Sequence, residues 1–460
     1  MQNLVIRGKG IILFFLCAIL LFLIIVLTFL EKGFLEHSVM PFVLSSFIIV
    51  FIYFLINKFL KDKFYSKIFL YAILLHFIVL VFWEILKYHL LNLPLPNAYH
   101  FSSFTSDNDG GLYHSLGVEL SKYDIISSFS KKTAGGLFPK LVAMIYKIFS
   151  INPFIVCIFN SVFASLIAPI IYYIGKNVLK DSFSQKIYAF LSIFTFSHLI
   201  NTTVLMRDGY ITIFMYLSIF CFYLFYKRLN ILYLILTLCS LYMLYSFRPY
   251  ASFVIFFALL TAWMFMNLKL NLRNKTIKTN WVSLILILCS PLIVGIILFL
   301  LMKISSFMSI LSVEDLIQVR EAAYQYGDAA IAFDFGALYS KFFLLPFIVG
   351  YIYLFAAPFP WMWTKIARII YVPDMLILYL FLPSFIKCLL NIFKEKNFIL
   401  LAFFFSILFM FSFYCITLGN AGAIHRLRGP FIPMIYLIAM YRPDKFLNRI
   451  LCKVQQWRII

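Results

Sequence analysis

Long apolar runs separated by short basic loops set the pattern of this chain. Runs such as Ile11 to Leu30 recur along its whole length. About 17 to 25 apolar residues in a helix are enough to cross a hydrocarbon core of about 30 Å. The pattern predicts spans at 11–30, 40–57, 68–86, 153–175, 187–205, 210–226, 230–246, 250–267, 281–302, 374–390, 398–418 and 430–441. Segments of about ten residues with alternating polarity, the mark of a membrane β-barrel, are not seen. The expected fold is an all-α polytopic membrane protein of about 12 transmembrane helices. No repeat of fixed period divides it, so 1–460 reads as a single integral membrane domain. The first run is longer than the 7 to 15 residues typical of a signal-peptide core, and no small-residue cleavage site follows it. It reads as a retained span.

Charge sets the direction of the spans. With Arg7 and Lys9 inside, the inner loops and the C-terminal tail collect 23 of the 39 basic residues and only Asp62, Asp181, Glu395 and Asp444 among the acids. Basic excess in short loops marks the cytoplasmic face. Both termini are therefore expected in the cytoplasm of a bacterial cell, with the protein in the plasma membrane. The net charge of +21 then reports topology, and nucleic acid is not needed to explain it. If segment 342–357 crossed fully, the five basic residues of the tail and the loop Lys387 to Lys396 would both move outside. The stretch of about 342–373 reads instead as a re-entrant or interfacial hairpin, with Trp361 and Trp363 at the interface. Two long loops, about 87–152 and 303–341, fall outside and are expected to carry amphipathic helices. The eight cysteines show no metal-ligand spacing and lie mostly within apolar runs, as small hydrophobes do.

This topology brings scattered polar residues to one face. Asp107 and Asp109 lie early in the first long outer loop, in "SDNDGGLYHS". "LMRDGY" puts Arg207 and Asp208 in a tight outer turn, and "YSFRPY" puts Arg248 in the next. "NAGAIHRLRG" places His425, Arg426 and Arg428 outside, against the charge rule. Each has a plainer reading. Asp-Asn-Asp-Gly is also a common turn. Arg207 could snorkel beside a local partner, and Arg248 could mark a span end. Glu84 reads as interfacial and Arg320 as a solvated face. Together, however, they suit a charged lipid head. Guanidinium groups bind phosphate by paired, charge-assisted hydrogen bonds. A nearby carboxylate can act as a base toward a hydroxyl or hold a divalent metal.

In its order of motifs the chain resembles the GT-C superfamily, the multi-span glycosyltransferases that use polyprenyl-phosphate sugars, dolichyl-phosphate-mannose mannosyltransferases among them. The resemblance rests on "DNDGGLYHSLG", on the amphipathic stretch and span from Gly135 to Asp181, on "MRDGYITIF" and "FRPYASFVIF", and on "HRLRGPFIPMIYLIA". It covers about 100–260 and 419–440. The resemblance implies that Asp109, the acid nearer Tyr113, is the catalytic base or a metal-linked acid, with Asp107 second. Arg207, Arg248, Arg426 and Arg428 would contact phosphate, and Asp208, His425 and Tyr113 would support the site. The resemblance leaves the need for a metal open; a divalent ion such as Mg or Mn, if used, would sit on Asp107 and Asp109. Two features depart from the family pattern: the acids are spaced rather than adjacent, and the chain ends shortly after its last span.

The expected activity is inverting transfer of a hexosyl or pentosyl unit from a polyprenyl-phosphate donor to an acceptor hydroxyl on a glycan, lipid or protein. The reaction would take place at the outer face, in cell-envelope glycan, polysaccharide or glycolipid synthesis. A near alternative is a polymerase or ligase of polyprenyl-diphosphate oligosaccharides. An alternative of another class is a transporter or flippase of lipid-linked sugars, for which inverted repeats and mid-membrane charges are the usual signs.

Overall fold

In the computed structural model, the described residues are 35–60, 62–85, 109–131, 133, 135–273, 344–357, 359, 371–392, 397–417 and 421–456. Every regular element among them is a helix. Among the described residues, six helices are long and apolar enough to cross a membrane: Phe64–Phe82, Pro153–Val178, Asp208–Arg228, Pro249–Asn267, Val372–Ile392 and Phe398–Cys415. Ser45–Phe59 and Ile231–Phe247 are apolar but shorter. The expected spans 11–30 and 281–302, the loop 303–341 and Asp107 lie outside the described residues. The contacts divide the described chain into two compact units. One holds residues up to 217 with 242–249 and 455–456; the other holds 218–241 and 250–454.

The first unit is organised around α2 (Phe64–Ile85), which packs on α1 (Leu35–Phe59), α6 (Pro153–Ser165), α7 (Ile167–Val178), α8 (Ser182–Ile193) and α9 (Phe196–Thr203). Small residues permit this crowding. Ala72, Ala168 and Ala189 are buried with Tyr65, Ile68, Tyr172 and Ile193 in one cluster. Close backbone approach is the usual basis of helix association in lipid, where apolar burial gives little net drive. The span expected at 153–175 forms as α6 and α7 with a break at Leu166. Pro169 has no N–H to offer the Ser165 carbonyl, which accounts for the interruption.

One expected span is corrected. Residues 187–205 do not form a single long helix, because the chain turns at Phe194–Thr195 between α8 and α9. The segment is unusually polar for a span. Ser192 and Thr195 direct their hydroxyls back to Tyr188 O and Leu191 O, a competition that bends helices. Ser197, His198, Asn201, Thr202 and Thr203 are all buried in α9.

Outside the spans, α3 (Asp109–Ser121), α4 (Ile125–Ser130) and α5 (Phe138–Ile148) form a helical layer within the first long loop. α5 is amphipathic: Phe138, Val142, Ala143 and Tyr146 are buried on one face. It packs on α3, where Gly117 lies against Val142.

In the second unit α14 (Val372–Ile392) and α15 (Phe398–Thr417) pack on α17 (Ile432–Tyr441), and α13 (Leu344–Ala356) packs on α15 and α16 (Ala421–Arg428). Within the described residues α13 covers 13 residues, about 20 Å at about 1.5 Å per residue; Trp361 and Trp363 of the expected hairpin lie outside them. Over the span expected at 430–441, the 3₁₀ turn Gly429–Phe431 runs directly into the ten-residue α17. α18 (Lys445–Gln456) follows Asp444, whose carboxylate accepts from Ser384 Oγ at 2.7 Å and caps the helix through Leu447 N at 3.0 Å. The Ser384 hydroxyl and the backbone N–H groups hold that carboxyl below the usual range.

Candidate functional site

The first unit brings three distant stretches together. The first is α3, which begins at Asp109. Its first turn carries the acid where the helix dipole favours a negative charge. Tyr113, one turn on and on the same face, is 2 % exposed.

The second stretch is the turn before α5. Gly135 and Gly136 both have positive φ, +88° and +68°. A Cβ on Gly135 would land on the Tyr113 ring, and one on Gly136 would land on the Ser246 carbonyl oxygen. The turn is closed by Thr133 Oγ1, which donates to Gly136 O at 3.0 Å. Leu137 N–H reaches Ser246 O at 2.9 Å. Phe138 then meets Tyr113 edge-on at 5.2 Å.

The third stretch spans the starts of α10 (Asp208–Arg228) and α12 (Pro249–Arg273) and the end of α11 (Ile231–Phe247). Asn160 of α6 holds the approach, donating to Val204 O at 2.8 Å and Met206 O at 3.3 Å. Arg207 Nη1 donates to Phe247 O at 2.9 Å, and its guanidinium carbon stands 5.8 Å from the Tyr113 ring centre. Arg248 Nη2 meets Asp208 Oδ1 at 3.3 Å, with the two side chains 5 % and 2 % exposed. A buried pair of this kind fixes geometry more than it adds stability. Thus Asp109, Tyr113, Arg207, Asp208 and Arg248 belong to one neighbourhood of the first unit.

An apolar groove of about 410 Å³ reaches the same neighbourhood. Its walls include Ile48 and Ile52 of α1, Leu141 and Ile148 of α5, Phe163 of α6 and Tyr210 of α10. Tyr210 stacks between Phe163 at 4.5 Å and Phe247 at 5.0 Å. It is two residues from Asp208 and three from Arg207.

The glycine turn carries a direct test. Gly136→Ala forces a left-handed conformation costing about 1–2 kcal/mol and pushes on the Ser246 backbone. It is expected to lower the unfolding temperature in detergent. Gly209→Ala, whose nearest neighbours would be 3.5 Å away, is expected to leave that temperature near the wild-type value.

The second unit holds the other three candidates. Arg428 is fully buried, and its Nη1 donates to Leu354 O at 3.0 Å and Ala357 O at 2.7 Å. With Tyr379, which donates to Ala356 O, it satisfies the carbonyls that end α13. Burial pulls its guanidinium down to about 10, while Asp374, itself buried, pulls it upward. Arg428 Nη2 lies 3.2 Å from His425 Nδ1, and His425 stacks on Tyr371 at 4.3 Å. Donation from Arg428 makes Nδ1 the acceptor and leaves the ring proton on Nε2. Arg426 is 8 % exposed. The donors of Arg428 are thus largely committed to the fold.

Sequence reasoning missed several polar groups. His76 lies inside α2, with Nε2 3.1 Å from Thr202 Oγ1 and Nδ1 2.8 Å from Ala72 O. His198 is buried in α9. His114 Nδ1 is 2.8 Å from Tyr146 OH, and half-burial lowers its pKa, so it is neutral at neutral pH. The signal was present in "LLHFIVL" and "SHLINTT", where polar groups interrupt apolar runs. Among the described residues no group of three or more His, Cys, Asp or Glu side chains is placed to hold a metal. The two-acid site expected for one includes Asp107, outside those residues.

Residues 123–311 match the dolichyl-phosphate-mannose-protein mannosyltransferase family, a GT-C family. The match includes Arg207, Asp208 and Arg248, and it agrees with the superfamily resemblance drawn from the motifs. No curated protein and no solved structure matches the chain.

Proposed function

We propose that this chain, carrying a membrane glycosyltransferase family domain over residues 123–311, transfers a sugar from a polyprenyl-phosphate donor to an acceptor hydroxyl at the extracytoplasmic face. The carrying observation is the meeting, within one unit, of the Asp109 helix with Arg207 and the Asp208–Arg248 pair, next to an apolar groove whose lining includes Tyr210. An isoprenoid chain fits a groove of that lining, and its phosphate would then lie by the guanidinium groups.

In this reading Asp109 takes the proton from the acceptor hydroxyl as oxygen attacks the anomeric carbon. The bond from that carbon to the phosphate oxygen breaks, and the polyprenyl phosphate leaves with the electron pair. Arg207 and Arg248 stabilise the phosphate charge as it develops, the kind of preorganised electrostatics that dominates many rate enhancements. Tyr113 and Phe247 hold Arg207 in place, and Asp208 holds Arg248. A single displacement inverts the anomeric centre.

Reconstitution tests the proposal. Vesicles containing the protein and a polyprenyl-phosphate sugar are expected to form a new glycosidic bond on an acceptor alcohol and release polyprenyl phosphate. Movement of the lipid-linked sugar across the vesicle with no new bond would support a transporter instead.

A further inference from the structure

At the other end of the first unit lies a second cavity, of about 420 Å³, lined by Phe59, Leu60, Asp62, Tyr65, Tyr173, Lys176 and Asn177. It sits where α1 and α7 end and α2 begins. Lys176 is thirteen residues along α6 and α7 from Phe163, the neighbour of Tyr210. That is roughly 20 Å of helix, so the cavity and the arginine neighbourhood occupy opposite ends of the spans.

The cavity is amphipathic. Phe59, 71 % exposed, and Leu60 form an apolar wall. Lys176 and Asn177 line the polar side. The carboxylate in its lining is already engaged. Asp62 Oδ1 accepts from Phe64 N at 3.0 Å, and Oδ2 accepts from Tyr172 OH and Lys176 Nζ, each at 2.9 Å. Desolvation works to raise its pKa, but these hydrogen bonds outweigh it and hold the group below the usual range. Its charge is therefore offset locally, whereas the surround is cationic. Lys58, Lys63, Lys67, Lys176, Lys180 and Lys186 stand at this end against Asp62 and Asp181.

We propose that this cavity binds the headgroup of an anionic phospholipid, with the phosphodiester at Lys176 and an acyl chain along Phe59 and Leu60. Basic pockets between spans on the cytoplasmic side are suited to such headgroups, and the density of lysines marks this as the cytoplasmic end. A soluble phosphate ester shares the phosphate chemistry but has no use for the apolar wall. The inference does not rest on the transfer reaction, so a protein inactive in transfer would still bind the lipid.

The full chain purified in detergent is titrated with phosphatidylglycerol, phosphatidylcholine or glycerophosphate, with bound lipid counted by native mass spectrometry. Phosphatidylglycerol is expected to bind and the other two are not. Lys176→Gln is expected to weaken binding roughly fivefold, the contribution of one basic residue at a membrane surface. Asn177→Asp leaves the Asp62–Lys176 pair in place and adds a negative charge, and is expected to weaken binding at least as much. Lys445→Gln on α18 is expected to leave it unchanged. Equal binding of both lipids, binding of glycerophosphate alone, wild-type titration of Asn177→Asp, or an equal loss in Lys445→Gln would each overturn the site.

Discussion

Asp109→Asn is expected to lower sugar transfer by about 10²–10⁴-fold, the usual contribution of a general base, with donor binding retained. The amide is nearly the same size and keeps an oxygen, so α3 and the Tyr113 contacts should persist. What is lost is the capacity to accept the acceptor's proton. The measurement is steady-state transfer by the reconstituted protein, alongside donor binding and the unfolding temperature. Asp107→Asn is the natural comparison, because the two acids compete for this role in the sequence. A full rate in Asp109→Asn with a collapse in Asp107→Asn would move the base two residues. A full rate in both, with loss on Arg426→Ala, would favour diphosphate chemistry without a carboxylate base.

Asp208→Ala is expected to destabilise the protein by about 3–5 kcal/mol, the typical cost of stranding one partner of a buried ion pair. Arg248 would be left as a buried cation at a site where its side chain is 5 % exposed. Detergent-solubilised protein should unfold at a clearly lower temperature, and transfer should fall because Arg248 is no longer held. A double replacement, Asp208→Leu with Arg248→Met, separates the two effects. Removing both charges is expected to restore much of the stability, since apolar replacements of buried pairs are often neutral or better. It is not expected to restore transfer. Recovery of activity in the double variant would show that the pair serves folding alone.

How much of this was legible beforehand depended on the kind of signal. Helical class and the long spans around 64–82, 208–228, 249–267, 372–392 and 398–415 follow from apolar run length, a one-dimensional property. The pairing of Arg248 with Asp208 follows from no local pattern, since 40 residues and two apolar helices separate them. Topology alone could bring both to one face; only packing puts them in contact. Segment 187–205 passed as a span because Phe, Leu and Ile dominate its average, while its hydroxyl and amide groups found partners in neighbouring backbone and in His76. An average over a window cannot register that. Arg428 drew notice as an exception to the charge rule, but its structural task depends on where α13 ends, a tertiary fact. Gly135 and Gly136 open the amphipathic stretch in the sequence, but their need for positive φ comes from Tyr113 and Ser246 packed against them.

The most direct test of the central claim is a structure of the protein bound to a non-transferable polyprenyl-phosphate sugar analogue. The phosphate is expected within hydrogen-bond reach of Arg207 or Arg248, the isoprenoid chain in the groove lined by Phe163 and Tyr210, and the anomeric carbon facing Asp109. A phosphate bound away from both arginines, or a chain lying outside that groove, would contradict that claim.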